Sequence, residues 1–284
     1  MTSPSEGPHV TTSPRARGRN LPQAVGTALV LLGLIAVAYV AGPDGFFVLA
    51  LLVVVLALYE LLEALRARRR KVVVTFEMAV CVAMLLAAYL RPDESGYLLA
   101  AAAAGILGSF VLGLSPGRGA SPATDVAWAI LALVWIGGGG AAAVAMLTLP
   151  SGLNLLVAHV LVTAVGDVGA FFTGTSFGRH KLAPSISPGK SWEGFAGGFV
   201  ASVAGGATAG WLIDDIGVAA GVGMGALIGL LAPAGDLAES MVKRELGIKD
   251  SGRMLPGHGG MLDRLDAIIF CAPAVLLYLR AVVF

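Results

Sequence analysis

Charged residues are scarce in this chain, and their scarcity excludes an ordinary soluble domain. Asp, Glu, Lys and Arg make up 13% of the 284 residues, against about 25% in soluble domains. Cysteine is also scarce: Cys81 and Cys271 both lie in apolar stretches without metal-type spacing, and we expect both to be small core or lipid-facing residues. The formal net charge of +1 gives no electrostatic case for nucleic acid as a partner.

What the chain contains instead is apolar sequence in long runs. Hydrophobic residues make up 57% of it, and the mean hydropathy is +0.84. A membrane-spanning helix needs about 20 mostly apolar residues. We expect such helices at residues 21–41, 46–65, 72–90, 97–114, 124–148, 153–175, 195–213, 217–235 and 265–283. The sequence therefore predicts an all-α polytopic membrane bundle of about nine transmembrane helices, of which the fifth could be broken at Gly137 to Gly140.

The distribution of basic residues predicts a cytoplasmic N-terminus. With nine spans and the N-terminus inside, 17 of the 19 Lys and Arg residues fall on the cytoplasmic side, and only Arg91 and Arg280 fall outside. This bias is the one described by the positive-inside rule. Residues 1–20 have no apolar period, and we expect them to form a disordered cytoplasmic tail.

Polar residues divide the rest of the chain into two parts. Residues 21–150, with about five helices, have short connections and are expected to be a transmembrane scaffold. Residues 151–284, with about four helices, contain two cytoplasmic polar loops, at about 176–194 and 236–264. The chemistry is expected in this second part, at the cytoplasmic face.

Acidic residues at the ends of two apolar helices predict a metal site. Asp236 ends the eighth run, with Glu239 and Ser240 on the same helical face. Asp263 and Asp266 share a face at the start of the ninth, and the glycine-rich turn between the helices permits a reversal that brings the acids together. Carboxylates in this arrangement suit Mg²⁺ carrying polyphosphate. The alternative is a juxtamembrane loop of surface ion pairs, each of which contributes little.

Further polar residues in the second part are candidates for binding substrate. Asp167 lies inside the sixth run, where a carboxylate is a functional candidate by default; the alternative is a polar contact between helices. Ser187, Lys190 and Ser191 lie near a helix start, where backbone N–H groups favour anions; the alternative is topogenic positive charge. Gly-Lys-Ser here is not a P-loop, because that pattern requires glycine where Pro184 stands.

Two histidines and one glutamate complete the candidates. His258, between two glycines, is expected to contact phosphate or base, or to fold the loop, rather than to act in acid–base catalysis. His159 is expected to be structural. Glu77 has no assigned role.

The second polar loop resembles the signature of the phosphatidate cytidylyltransferase family, the CDP-diacylglycerol synthases, at every fixed position. The matching residues are Ser240-x-Val-Lys243-Arg244-x4-Lys249-Asp250-x-Gly252-x2-Leu255-Pro256-x-His258-Gly259-Gly260-Met261-x-Asp263-Arg264-Leu265-Asp266. The segments 181–194 and 166–171 look like the family's other polar loop and its intramembrane acidic motif. The chain departs from the family pattern at Val168, usually Ser or Thr, at Phe171, usually Tyr, and at Ser191, usually Thr.

The resemblance implies an all-helical enzyme with a polar cavity open to the cytoplasm and to the lipid. Its expected reaction converts CTP and phosphatidic acid to CDP-diacylglycerol and pyrophosphate, with Mg²⁺, in phospholipid biosynthesis at the inner (cell) membrane. A second cation such as K⁺ and a homodimer are further expectations. The rivals are a CTP-dependent kinase of polyprenol or phytol and an ion-coupled transporter.

Site residues are assigned from the resemblance together with the chemistry above. The expected catalytic residues are Asp236, Asp263, Lys243, Arg244, Lys249, Asp250 and Arg264. The expected substrate-binding residues are Asp167, Ser187, Lys190, Ser191, Ser240, His258, Gly259 and Gly260. The expected metal ligands are Asp236, Asp263 and Asp266.

Overall fold

The computed structural model describes residues 21–68, 70–115, 121–252 and 259–284. Over these residues the chain forms nine helices and one short hairpin. The helices are α1 Leu21–Val40, α2 Gly42–Ala67, α3 Val74–Leu90, α4 Ser95–Gly113, α5 Pro122–Met146, α6 Gly152–Phe177, α7 Trp192–Leu212, α8 Gly217–Glu245 and α9 Leu262–Val283. The antiparallel strands are β1 Lys181–Ala183 and β2 Ser187–Ser191.

The prediction of an all-α polytopic membrane protein is confirmed. Seven helices, α2 and α4 to α9, are long and apolar enough to cross a membrane. Helix α3 is apolar but has only 17 residues, so that the crossing of α1 and α3, and the cytoplasmic N-terminus, stay predictions. The expected disordered tail at 1–20 lies outside the described residues.

The fifth helix, for which the sequence left a break at the glycines open, is continuous. Helix α5 continues through Gly137 to Gly140 and widens to a π-helix over Leu133–Gly138. A Cβ at Gly139 would collide with the carbonyl oxygen of Ile269 in α9. The glycines therefore allow two helices to approach closely, and the cost of keeping glycine in a helix is offset by that packing.

Glycines also pack α6, α7 and α8 against one another. A Cβ at Gly206 in α7 would collide with the carbonyl oxygen of Gly221 in α8 and lie 2.8 Å from the Cα of Gly225. A Cβ at Gly198 would lie 2.9 Å from the carbonyl oxygen of Gly166 in α6. Only glycine allows backbones so close, so these three helices pack tightly side by side.

Helix α9 joins the two parts of the chain, because it packs against α8, α6, α5 and α2. His159 of α6 is fully buried, and its Nε2 lies 3.0 Å from the carbonyl oxygen of Ile268 in α9. This contact fits the structural role expected of His159. The helix that carries Asp263 and Asp266 is thus packed against helices from both parts of the chain.

Candidate metal and phosphate site

Three carboxylates from the two predicted helix ends form the centre of the site. Asp236 and Glu239, three residues apart, face the same side of α8, and Asp266 comes from the beginning of α9. Their ligand atoms lie within 4.8 Å of one another, which makes them the one group with metal-binding geometry in the described part of the chain. Glu239 and Asp266 are buried, at 2% and 8% exposure.

The chemistry of this group fits a divalent cation. Carboxylate oxygens are the ligands that Mg²⁺ takes in proteins, and burying several negative charges together is costly without a neutralising partner. Asp167 adds a further negative charge within electrostatic reach of Asp236 and Asp266. Lys190 and Lys243 are the lysines that pair with this group over the described residues. The acids outnumber these lysines, and a bound cation would offset the difference.

Lys243 connects the three-carboxylate group to Asp263. Its Nζ donates to Glu239 Oε2 at 2.6 Å and to Asp263 Oδ1 at 2.9 Å. The Ser251 hydroxyl lies 2.8 Å from Glu239 Oε1 and 2.9 Å from Asp263 Oδ1, and its single hydrogen can serve only one of them at a time. The N–H of Gly260 donates to the other oxygen of Asp263 at 2.8 Å.

Asp263 therefore lies beside the three-carboxylate group and not within it. In this structure its carboxylate ties the loop between α8 and α9 to the start of α9, where the helix dipole favours negative charge. Its expected role as a metal ligand stays a prediction.

Lys190 approaches the group from the hairpin. It lies in β2, and its Nζ pairs with the Asp236 carboxylate and lies 3.5 Å from the carbonyl oxygen of Pro233. Arg244 of α8 donates to the carbonyl oxygen of Ile186, just before β2. Two side chains thus hold the hairpin against α8: Lys190 pairs with Asp236, and Arg244 donates to the backbone of Ile186.

Ser191 has a local structural role in the described conformation. It is buried, at 5% exposure, and its hydroxyl accepts the N–H of Gly194 at 3.1 Å as the N-cap of α7. A serine at this position satisfies one of the unpaired N–H groups of the helix start. Its expected contact with substrate stays a prediction, as does that of the partly buried Ser187.

Asp167 lies on an exposed face of α6, within electrostatic reach of Asp236. It is exposed on α6, and its neighbours Val165, Val168 and Phe171 are also exposed. In a membrane-spanning helix these apolar side chains face lipid. Val168 and Phe171, two of the three residues that depart from the family pattern, are therefore part of an exposed apolar surface beside Asp167.

The remaining predicted residues surround the loop after α8. Ser240 is partly buried, while Arg244, Lys249, Asp250 and Arg264 are exposed. Gly259 has a φ of +83°, and a Cβ there would lie 2.6 Å from Asp263 Oδ2, so the position requires glycine. Gly260 is buried, and His258 lies outside the described residues.

Two glutamates were not assigned to the site from the sequence. Glu239 was seen to share a face with Asp236, and that face was the signal for a ligand role. Glu60 of α2 accepts the N–H of Leu262, the first residue of α9, at 3.1 Å. The sequence feature that could have identified Glu60 is its position as a carboxylate within an apolar run, where an unpaired charge has a high free-energy cost. Glu77, which had no assigned role, is buried and accepts the Ser109 hydroxyl at 2.8 Å.

Comparison with known proteins gives one family and several relatives. The sequence model of the cytidylyltransferase family matches residues 22–282. A Brucella suis protein named phosphatidate cytidylyltransferase is 44% identical over 135 residues, which cover 48% of this chain and 49% of that protein. A Mycobacterium bovis protein of the same name is 44% identical over 140 residues, covering 48% of this chain and 44% of that protein.

A third relative carries no functional name. The uncharacterized protein YnbB of Escherichia coli is 40% identical over 127 residues, which cover 44% of this chain and 43% of that protein. The chain thus spans about half the length of the curated relatives it matches.

Proposed function

The chain belongs to the cytidylyltransferase family, and from that premise we propose that it is a phosphatidate cytidylyltransferase. The proposed reaction transfers a cytidylyl group from CTP to phosphatidic acid and gives CDP-diacylglycerol and pyrophosphate. The observation that carries this proposal is the group formed by Asp236, Glu239 and Asp266, with Lys190 and Lys243 at its edge.

The reaction makes modest demands on acid–base chemistry. The phosphate of phosphatidic acid attacks the α-phosphorus of CTP, an oxygen–phosphorus bond forms, and the bond to the departing pyrophosphate breaks. A phosphate monoester has a second pKa of about 6, so the attacking oxygen is already largely ionised near neutral pH. The protein must therefore align two anionic substrates and neutralise their charge.

The residues of the site suit these two tasks. Asp236, Glu239 and Asp266 would hold Mg²⁺, which when bound supplies positive charge to the triphosphate. Lys190 and Lys243 supply further positive charge beside the same acids, at positions that face triphosphate or lipid phosphate. Asp263 would act on the site through Lys243 or as a ligand.

Access for a lipid substrate is supported by the position of Asp167. Because it lies among exposed apolar residues of α6 and within electrostatic reach of Asp236, Asp167 is placed to meet a headgroup that approaches from the bilayer. A lipid could bring its phosphate to the acids while its acyl chains stay in the bilayer. We also propose that the chain lies in the cell membrane and that its site faces the cytoplasm, from which CTP is supplied. A homodimer is a further proposal.

The decisive experiment follows the two labelled phosphates of CTP. The protein, purified in detergent, is given phosphatidic acid, a polyprenol, phytol, Mg²⁺ and CTP labelled at either the α- or the γ-phosphate. We expect the α-label in the lipid and the γ-label in pyrophosphate. A lipid kinase would instead put the γ-label in the lipid and release the α-label as CDP, and a transporter would label no lipid.

Matched variants connect the activity to the site. Glu239→Gln removes one charge from the three-carboxylate group and should abolish most label transfer. Glu245→Gln removes an exposed charge at the end of the same helix and should retain it. Equal label transfer by both variants would contradict the proposed site even if the wild-type reaction is as expected.

A further inference from the structure

A buried glutamate of the first part of the chain contacts the start of the helix that carries two of the site's acids. Glu60 in α2 is 5% exposed, and its Oε2 accepts the N–H of Leu262 at 3.1 Å. The first N–H groups of a helix have no partner within it. Glu60 therefore satisfies one such group of α9, and its negative charge suits the positive end of the helix dipole.

The same carboxylate shapes both sides of the loop between α8 and α9. A Cβ at Gly260 would lie 2.5 Å from Glu60 Oε2, and a Cβ at Gly252 would collide with Glu60 Oε1. The glycines at the two described ends of the loop thus leave room for the Glu60 carboxylate, and a larger residue at either position would have to displace it. Gly260 in turn donates its N–H to Asp263 at 2.8 Å.

Helix α2 has a second contact with this loop. Arg68, one residue beyond α2, donates from Nη2 to the carbonyl oxygen of Gly247 at 2.7 Å. The end of α2 thus holds the beginning of the loop through Arg68, and Glu60 holds its return through Leu262. A change at Glu60 would loosen the point from which α9 projects Asp266.

We propose that Glu60 is a positioning residue for the metal site. It fixes the start of α9 and the return of the α8–α9 loop, and it thereby keeps Asp266 within reach of Asp236 and Glu239. The inference rests on the proposed metal site, but metal binding can be measured without turnover. The first part of the chain would then help to position the metal ligands, in addition to its expected role as a scaffold.

The test measures Mn²⁺ binding to the purified full chain by electron paramagnetic resonance, in the absence of nucleotide. Glu60→Ala should weaken Mn²⁺ binding by about 10–100-fold, the range typical of groups that support metal ligands. Glu60→Gln keeps an oxygen that can accept the N–H of Leu262 and should restore part of the loss. The matched control is Glu63→Gln, which removes an exposed carboxylate of α2 that pairs with Arg66 on the surface, and it should bind Mn²⁺ like the wild type.

A second variant decides the matter if Glu60→Ala does not fold. Gly260→Ala places a methyl group against the Glu60 carboxylate and should weaken Mn²⁺ binding in the same range, whereas Gly189→Ala, at a hairpin glycine with open space around it, should not. Thermal unfolding of each variant separates this effect from a general loss of stability, which would leave the dissociation constant of the folded protein unchanged.

The possible failures are distinguishable. Wild-type protein that binds no Mn²⁺ would overturn the proposed metal site together with the role of Glu60. Wild-type affinity in folded Glu60→Ala, or in folded Gly260→Ala when Glu60→Ala is unfolded, would overturn only the positioning role.

Discussion

Lys243 forms hydrogen bonds to one carboxylate from each of the two helices that build the site. Its ammonium group donates hydrogen bonds to Glu239 Oε2 and Asp263 Oδ1. Carboxylate oxygens of this kind are also the atoms that would coordinate a bound cation. The lysine therefore has two opposing effects: it stabilises the acids before ligands bind, and it competes with a metal for them. Metal binding measures this competition, and turnover measures the further role proposed for Lys243, which is to supply positive charge to phosphate.

We expect Lys243→Met to separate metal binding from turnover. Methionine keeps an unbranched side chain but removes the competing charge, so Mn²⁺ should bind at least as tightly as to the wild type. Cytidylyl transfer should fall by about a hundredfold, the loss typical when a preorganised group that stabilises developing charge is removed. Mn²⁺ titration and the α-label assay measure the two quantities, and weaker Mn²⁺ binding would contradict this account of Lys243.

Gly259 is required by backbone conformation as well as by space. At a φ of +83°, a residue with a Cβ is strained by about 1–2 kcal/mol, and the Cβ of Gly259→Ala would also press on Asp263 Oδ2. We expect this variant to unfold at a lower temperature and to lose turnover. Gly189→Ala is the control, and equal unfolding temperatures for the two variants would show that the strain is absent.

At the scale of elements, the hairpin and the start of α7 depend on Ser191. Its hydroxyl caps α7, and its strand presents Lys190 to Asp236. Ser191→Ala should cost about 1 kcal/mol of stability, whereas Ser191→Thr keeps the capping oxygen and should cost less. If the serine also contacts CTP, the KM for CTP will rise in Ser191→Ala beyond what the stability loss explains; thermal unfolding and steady-state kinetics measure the two effects.

The element boundaries show what apolar length can and cannot predict. The eighth run was expected to end at residue 235, but α8 continues to Glu245, about 15 Å further at 1.5 Å per residue. Hydrogen bonding within a helix does not stop where its apolar residues stop, and so Glu239 and Lys243 remain helical. The hairpin was not predicted, because its strands of three and five residues lie in a polar, proline-containing loop without alternation.

The acids of the site were predictable to the extent that they share local faces. Asp236 and Asp266 could be brought together from the sequence, because each ends or begins an apolar helix beside a glycine-rich turn. Glu60 could not, because its partner Leu262 lies 202 residues away and no local pattern indicates that contact. Long-range contacts between helices were therefore the part of the site that could not be predicted from the sequence alone.

At the scale of the whole molecule, the first part of the chain is tied to the second through α9. This helix packs against α2 and α5 as well as against α6 and α8, and α2 contacts the loop that precedes it. The proposed division into scaffold and catalytic region therefore describes where the acids reside, while the geometry of those acids depends on both parts.

The last prediction concerns the orientation of the bundle. CTP is supplied from the cytoplasm, so the site must lie on the side where the positive-inside rule places the basic residues. Cys81 and Cys271 are both buried, so that the wild-type chain should react little with a membrane-impermeant maleimide. Ser185→Cys in the hairpin loop and Asp93→Cys between α3 and α4 introduce thiols at exposed positions.

We expect the maleimide to label Ser185→Cys only in inside-out vesicles and Asp93→Cys only in right-side-out cells. The physical reason is that the 17 basic residues assigned to the inner side, out of 19 in all, are retained on the cytoplasmic face during insertion. Labelling of both thiols from one side would require an even number of crossings between α3 and the hairpin. The assumed crossing of α4, α5 and α6 would then be wrong. If the site still faced the cytoplasm, the basic residues between α2 and α3 would have to lie on the opposite side of the membrane.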